Sequence, residues 1–509
     1  MKGKYLLASI LGILVGNCAL AQDTLYGKVA DYYDKPIPPD AVFVDTTDSK
    51  DSISKGNEKT TKTTDSAVKA SAPGSQANVK WYGFVRNYFT FDTRESKAGT
   101  DELYYYVPLD ESLQADGTDI NAHPTMKWSA ITSRIGLDIK DYKINENVAI
   151  DGKIEADFYS GLTGVTGTAQ FRLRQAYTVI SWCEAQNQTN PLKYSLKVGQ
   201  AWHPMAADMV HSTNLEIGVP FAPFSRTPQI TFNYHPGRPF SLTASALWQM
   251  QYTSGGPEGA SANYIKYSNI PEFYFGVNYE KKNWLARAGV DLLSIKPRFK
   301  GEVSELKNTD TAKYSAFVED RITTVSPFVY LQYKGKKFQL RAKSILAQAG
   351  EHMNLNGGYG VTAKYNKLGE DGHWEYTPVR YSSSWVSMMY GKKWQGILFA
   401  GYAKNLGTTD ALLVDYTDTE GNEYANIANN YLSKNTYANI NSMWRLAPGV
   451  VRNWGKLALS LEWHITSVQY GEFVKQGGAS YVSAKNGMAE NNLHWITNHR
   501  LQMMLKCSF

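Results

Sequence analysis

Apolar and polar residues alternate one by one over most of the chain beyond residue 80. Val148, Ile150, Ile154, Ala156 and Phe158 share one parity, while Asp151, Lys153, Glu155 and Asp157 hold the other. Ile135, Leu137 and Ile139 oppose Arg134, Asp138 and Lys140 in the same way. Leu457, Leu459, Leu461, Trp463 and Ile465 oppose Ser460, Glu462, His464 and Thr466. A period of two places successive side chains on opposite faces of an extended segment, so each stretch predicts an amphipathic β-strand. A soluble sandwich would turn the apolar face into a core. A membrane barrel turns it to lipid and encloses the polar face around water.

The spacing between strands separates these two architectures. Strands are predicted near 81–92, 129–140, 148–160, 170–183, 193–202, 228–234, 240–251 and 270–280, then near 284–296, 322–333, 338–350, 379–390, 396–405, 439–446, 456–469 and 493–509. Short links at 141–146, 281–283 and 334–336 alternate with long polar ones at 93–127, 203–226, 298–320, 351–378 and 407–438. Short turns on one side and long loops on the other are the rhythm of outer-membrane barrels. The predicted fold is therefore all-β, a transmembrane antiparallel β-barrel of about sixteen strands. Its last strand sets Leu501, Met503, Leu505, Cys507 and Phe509 against Gln502, Lys506 and Ser508. A terminal amphipathic strand closing on Phe looks like the signal read by the barrel-assembly machinery, which predicts the cell outer membrane.

Composition narrows the picture. Aromatic residues make up 13% of the chain, with 34 Tyr, yet only 43% of residues are hydrophobic. No apolar run after the first twenty residues is long enough for a membrane helix. Lys2 and Lys4, an apolar run over 5–15 and Ala19-Leu20-Ala21 predict a signal peptide at 1–21. Cys18 raises lipidation as an alternative, but Asn17 stands where a small residue is wanted. Cys183 and Cys507 are too few to make a disulfide framework. Residues 22–45, with Pro36, Pro38 and Pro39, read as a periplasmic arm. Residues 46–78 are Ser, Thr, Lys and Asp with almost no large apolar side chain, which predicts a disordered tether before a barrel at 79–509. Thr24, Thr46, Ser52 and Ser66 each follow an Asp, in a pattern that looks like an O-glycosylation signal of Bacteroidota.

Catalytic chemistry is not signalled. None of the nine histidines sits in a metal-ligand spacing, and no Ser stands out as a nucleophile, so neither an enzyme, a metal nor a cofactor is expected. Glu462 and His464 share one strand face, the spacing of a proton-relay pair or of two residues lining water. The expected lumen face carries Arg134, Lys140, Lys153, Arg172, Arg174 and Lys197, then Arg287, Arg341, Lys343, Arg500 and Lys506. Its acids are Asp138, Asp151, Glu155, Asp157, Asp291 and Glu462. A cationic excess in a pore raises the local anion concentration, which predicts an anion lean centred on Arg172 and Arg174.

Several stretches together resemble a known family. They are Gln170-Phe171-Arg172-Leu173-Arg174-Gln175-Ala176-Tyr177, Val198-Gly199-Gln200-Ala201-Trp202, Pro220-Phe221-Ala222-Pro223-Phe224, Ala400 to Gly407, and Trp444-Arg445-Leu446-Ala447-Pro448. The set resembles DcaP-like trimeric outer-membrane porins in their Bacteroidota form. The resemblance implies a homotrimeric diffusion channel for small hydrophilic solutes, seated in outer-membrane lipid and without nucleic-acid partners. It also implies that the loop after the fifth strand, with His203, His211 and Arg226, folds inward as a constriction. Some members carry an N-terminal coiled coil, whereas 23–78 shows no heptads. The alternatives are a closed barrel whose long loops bind a host or polysaccharide partner, and an outer-membrane hydrolase. The position of 203–226, inside or outside the barrel, separates the pore from the adhesin.

Overall fold

The computed structural model describes residues 77–99, 104–159, 170–183, 192–214, 218–249, 254–307, 310–431 and 439–509. The signal peptide, the arm, nearly all of the tether and the four candidate glycosylation positions lie outside the described residues. Strand β1 spans Asn78–Asp92, and β2 comes in two pieces, Thr125–Ser129 and Arg134–Asn145. Then follow β3 (Val148–Tyr159), β4 (Gln170–Cys183), β5 (Leu192–Trp202), β6 (Arg226–Gly237), β7 (Phe240–Leu247) and β8 (Glu272–Lys281). The second half holds β9 (Trp284–Ile295), β10 (Ile322–Lys334), β11 (Phe338–Gln348), β12 (Trp374–Gly391), β13 (Trp394–Thr408), β14 (Ile440–Trp454), β15 (Leu457–Glu472) and β16 (Asn491–Ser508). Each pairs antiparallel with its chain neighbours, and β1 pairs with β16, so a sixteen-stranded sheet closes on itself. Every strand read from the alternation is present. Closure leaves no unpaired sheet edge, the condition for strands to cross a membrane.

The two faces are distributed as the barrel reading requires. In β16, Leu493, Trp495, Leu501, Met503 and Leu505 are exposed, while Asn498, Arg500, Gln502 and Lys506 are buried. In β15, Leu457, Leu459, Leu461 and Trp463 point out, against buried Ser460, Glu462 and His464. Ile154 and Phe158 are exposed on β3 while Glu155 and Asp157 are buried. Apolar outside and polar inside inverts a soluble protein and suits lipid around a hydrated interior. At the short-turn end the outer surface carries ring pairs, including Trp284–Tyr333 at 4.9 Å, Phe240–Tyr279 at 5.3 Å and Tyr194–Tyr234 at 5.4 Å. Amphipathic rings of this kind mark a membrane–water interface.

Three features depart from the sequence reading. The link predicted at 141–146 is a kink at Asp141 (φ 60°) inside β2, and the turn itself falls between Asn145 and Val148. The loop read at 298–320 is an external hairpin, Lys300–Lys307 paired with Asp310–Phe317, which a mostly polar stretch did not announce. The stretch after β11 turns inward first: Ala349, Met353 and Leu355 are fully buried before Tyr359–Lys364 rejoins β12.

Candidate functional site

Between Trp202, which ends β5, and Arg226, which opens β6, the chain does not stay outside the barrel. His203, Met205, Val210, His211, Thr213 and Phe221 are all at 0% exposure. The far wall holds this segment by side chains from several strands. Arg287 of β9 donates to Asp208 Oδ1 at 2.6 Å, and Lys343 of β11 donates to Asp208 Oδ2 at 3.0 Å and to the Met205 carbonyl. Arg341 donates to the Met209 carbonyl at 2.8 Å. On β12, Ser387 Oγ accepts from His211 N–H at 2.6 Å and Ser383 Oγ donates to the Phe221 carbonyl at 2.6 Å. Arg445 of β14 donates to the Val219 carbonyl at 2.9 Å. Glu462 Oε2 of β15 accepts from Ser212 Oγ (3.1 Å) and from Thr213 N (2.6 Å) and Oγ1. The loop therefore crosses the interior from β5 and β6 to the opposite wall, as a constriction does. Glu462 and His464 do lie together, at 3.2 Å, but the carboxylate is engaged in holding the loop.

Apolar contacts finish the docking. Phe221 packs on Phe399 of β13 with centroids 6.0 Å apart, and Gly401 leaves the room for it: a Cβ there would come within 2.7 Å of the Phe221 ring. Trp202 meets Phe224 edge-on at 4.9 Å, and the Arg226 guanidinium lies over both rings, at 5.0 and 5.1 Å.

At the root of the loop four buried ionisable side chains meet. His203 Nε2 is 2.8 Å from Glu272 Oε1 and 3.5 Å from Asp291 Oδ1, and His352 Nε2 is 3.2 Å from Glu272 Oε1. Gln249 also donates to Glu272. The donor types would suit zinc, and the ligand atoms of His203, Glu272 and Asp291 fall within 4.8 Å of one another. The hydrogen bonding does not suit it. The Met205 N–H points at His203 Nδ1 (3.1 Å), and the Nε2 atoms of both His203 and His352 are turned to Glu272 Oε1, at 2.8 and 3.2 Å, which engages them with the carboxylate. The cluster is a latch: it ties the loop root to β8, β9 and the inward turn after β11. Burial alone would lower the His352 pKa, but the Glu272 charge outweighs it and raises the value to about 8. His211 goes the other way, well below its ordinary value, through burial first and the Arg341 charge second. None of these partners is adjacent in sequence, and Glu272 carried no signal there at all.

On the wall formed by β1 to β4 most of the predicted pore-lining residues converge. Arg172 pairs bidentately with Asp157 (3.0 and 3.2 Å), and Arg174 bonds Glu155 Oε1 at 2.8 Å and also Asp157. Arg134 lies 3.7 Å from Glu155, Lys153 lies 2.6 Å from Asp138, and Tyr82 donates to Glu155 at 2.9 Å. A β-bulge at Arg174 shifts the register between β3 and β4, so Arg174 and Gln175 both reach Glu155. Arg174 also sits over the Trp202 ring at 5.7 Å, beside the loop root. The other predicted residues are elsewhere. Arg500 forms a bidentate pair with Asp92 across the β1–β16 seam, at 2.8 Å for both bonds. Arg287 and Arg341 hold the loop, as above. The cations read as simple wall charge are thus mostly paired. Asp92 and Asp208 were missed because one is the last residue of a predicted strand and the other lies inside the loop.

Three comparisons bear on this geometry. The family model described as DcaP outer membrane protein matches residues 46–213. No curated protein matches the chain. Among solved structures, the outer membrane channel DcaP of Acinetobacter baumannii superposes with a TM-score of 0.52 at 17% identity, over 86% of this chain and 99% of that one. OmpT, an outer membrane protein of Vibrio cholerae, gives 0.44 at 12% identity over 87% and 100%. The anion-selective porin from Comamonas acidovorans gives 0.44 at 9% over 85% and 100%. The DcaP channel, at its identity, speaks for the fold, and the family match speaks for a likeness over residues 46–213. With a closed barrel, an apolar outer face and an inward loop, the chain is a sixteen-stranded outer-membrane β-barrel that matches the DcaP outer membrane protein family over residues 46–213.

Proposed function

We propose that the protein is a passive diffusion pore for small hydrophilic solutes, leaning toward anions, and that it works as a homotrimer without any chemical step. The observation that supports this reading best is that the described parts of the loop, 203–214 and 218–225, are fastened to the far interior wall, where a constriction would stand. An adhesin would need the same segment outside. The anion lean rests on the interior charge. Arg86, Arg226 and Arg445 join the basic side and Asp92, Asp208, Glu272 and Glu351 the acidic side, so the cationic excess read from the strands survives. The patch around Arg172 and Arg174 is the selectivity element in this reading.

Single-channel recording of the purified protein tests it. Replacing Arg172 and Arg174 with Glu would place new carboxylates beside Glu155 and Asp157 and reverse the sign of the patch. The reversal potential in a salt gradient should move toward cation preference. The shift should be largest at low salt, since screening acts over about 8 Å at physiological ionic strength. Conductance should change only modestly. A reversal potential unmoved at low salt would remove these arginines from the narrow part of the path. Cross-linking of the native protein in detergent, giving a three-chain species, tests the trimer.

A further inference from the structure

The short turns of one arc of the barrel repeat a composition. The β8–β9 turn reads Lys281-Lys282-Asn283-Trp284, and the β10–β11 turn reads Lys334-Gly335-Lys336-Lys337-Phe338. The β12–β13 turn ends on Lys393-Trp394, and the β14–β15 turn reads Trp454-Gly455-Lys456. Each joins lysine to an exposed ring, and none contains a carboxylate. The four turns are stitched side by side by backbone bonds. Lys334 N–H donates to Asn283 O at 2.8 Å, Gly391 N–H to Lys337 O at 2.9 Å, and Asn453 N–H to Lys393 O at 2.8 Å. Their ammonium groups are therefore carried on one continuous rigid arc. Lys281, Lys282, Lys336, Lys337, Lys393 and Lys456 are exposed and, among the described residues, form no ion pair. The remaining described short turns differ: 145–148 contains Glu146, and 237–240 has a single cation, Arg238. The opposite end of the barrel has the other sign in places, since 409–426 carries five acids and no Lys or Arg.

We propose that this arc binds the anionic headgroups of phospholipids in the leaflet around the short-turn end of the barrel. The rings fix the depth. Trp284, Phe338, Trp394 and Trp454 stand at the limit of the apolar wall, so the lysines one or two residues away lie at headgroup height. Charge complementarity selects phosphate-bearing anionic lipid over a zwitterionic one, and the stitched turns fix the backbone positions from which the lysines reach the headgroups. This rests on the barrel's seat in the membrane and is independent of what passes through it.

The test uses the full-length protein in proteoliposomes with spin-labelled phosphatidylglycerol or phosphatidylcholine, reading the motionally restricted fraction of each. Phosphatidylglycerol should be favoured by about fivefold at low salt, falling toward parity in concentrated salt. Substituting Gln for all six named lysines should abolish the preference, with a heat-modifiable gel shift showing that the barrel is intact, and Arg at the same positions should keep it. If the six-site variant does not assemble, K336Q/K337Q/K393Q should halve the preference or more. Equal restricted fractions for the unmodified protein, or a preference untouched by the Gln variants, would overturn the proposal. So would binding to cell-wall sacculi that the Gln variants lose while lipid preference stays unchanged.

Discussion

Glu462 concentrates much of the loop's attachment in one side chain. Its carboxylate receives three bonds from Ser212 and Thr213 in a site with no exposure. Hydrogen bonds to a buried charge are worth about 1.5–3 kcal/mol each, and donors left without an acceptor cost as well. Glu462→Ala should therefore weaken the anchoring of the loop tip by about 3 kcal/mol. Single-channel traces should become noisier, with excursions to higher conductance, while the barrel still assembles. His352 gives the loop root a pH dependence. A histidine whose pKa is raised by folding contributes fully below its unfolded value near 6.5, and that contribution fades as pH climbs through about 8. Current noise should thus increase between pH 6.5 and pH 9, and His352→Asn should show the noisy state throughout. Chelators should have no effect, because the Nε2 atoms of His203 and His352 are both engaged with Glu272.

The loop as an element is held by shape as well as by polar bonds. Gly401 faces the Phe221 ring so closely that any side chain must displace it. Gly401→Val should cost about 1–3 kcal/mol in local packing and move the 218–225 segment, raising conductance with little change in heat-modifiable mobility on a gel. The strands themselves could be read one at a time, since a period of two needs no knowledge of partners. What joins strands could not. Asp157 faces Arg172 directly in the β3–β4 register, and Glu155 meets Arg174 only because of a bulge. Until register is known, such residues count as separate charges. The inward course of 203–225 likewise has no local signature; family resemblance suggested it. Nothing suggested the inward turn at 349–355, and the latch of His203, Glu272, Asp291 and His352 draws on four segments whose spacing follows no motif.

At the scale of the whole molecule, everything depends on one seam. Residues 84–92 of β1 pair with 500–508 of β16, and the Phe509 N–H reaches the Gly83 carbonyl at 3.0 Å. Gly83 has no Cβ because one would strike the Phe509 ring at 2.4 Å. Phe509→Ala, and more severely Gly83→Leu, should lower the yield of heat-modifiable barrel while leaving synthesis unchanged, as immunoblots of membrane fractions would reveal.

The seam also sets a clock. The partner of the first strand, β16, is made after the other fifteen strands, so the wall cannot close until it has been translated. Until then β1 keeps an open hydrogen-bonding edge and the apolar face of every strand is without lipid, a state that invites aggregation. Closure of the barrel therefore waits on a pairing between strands at opposite ends of the barrel sequence. A message that stops short of β16 would cost the cell the entire barrel rather than one strand of it.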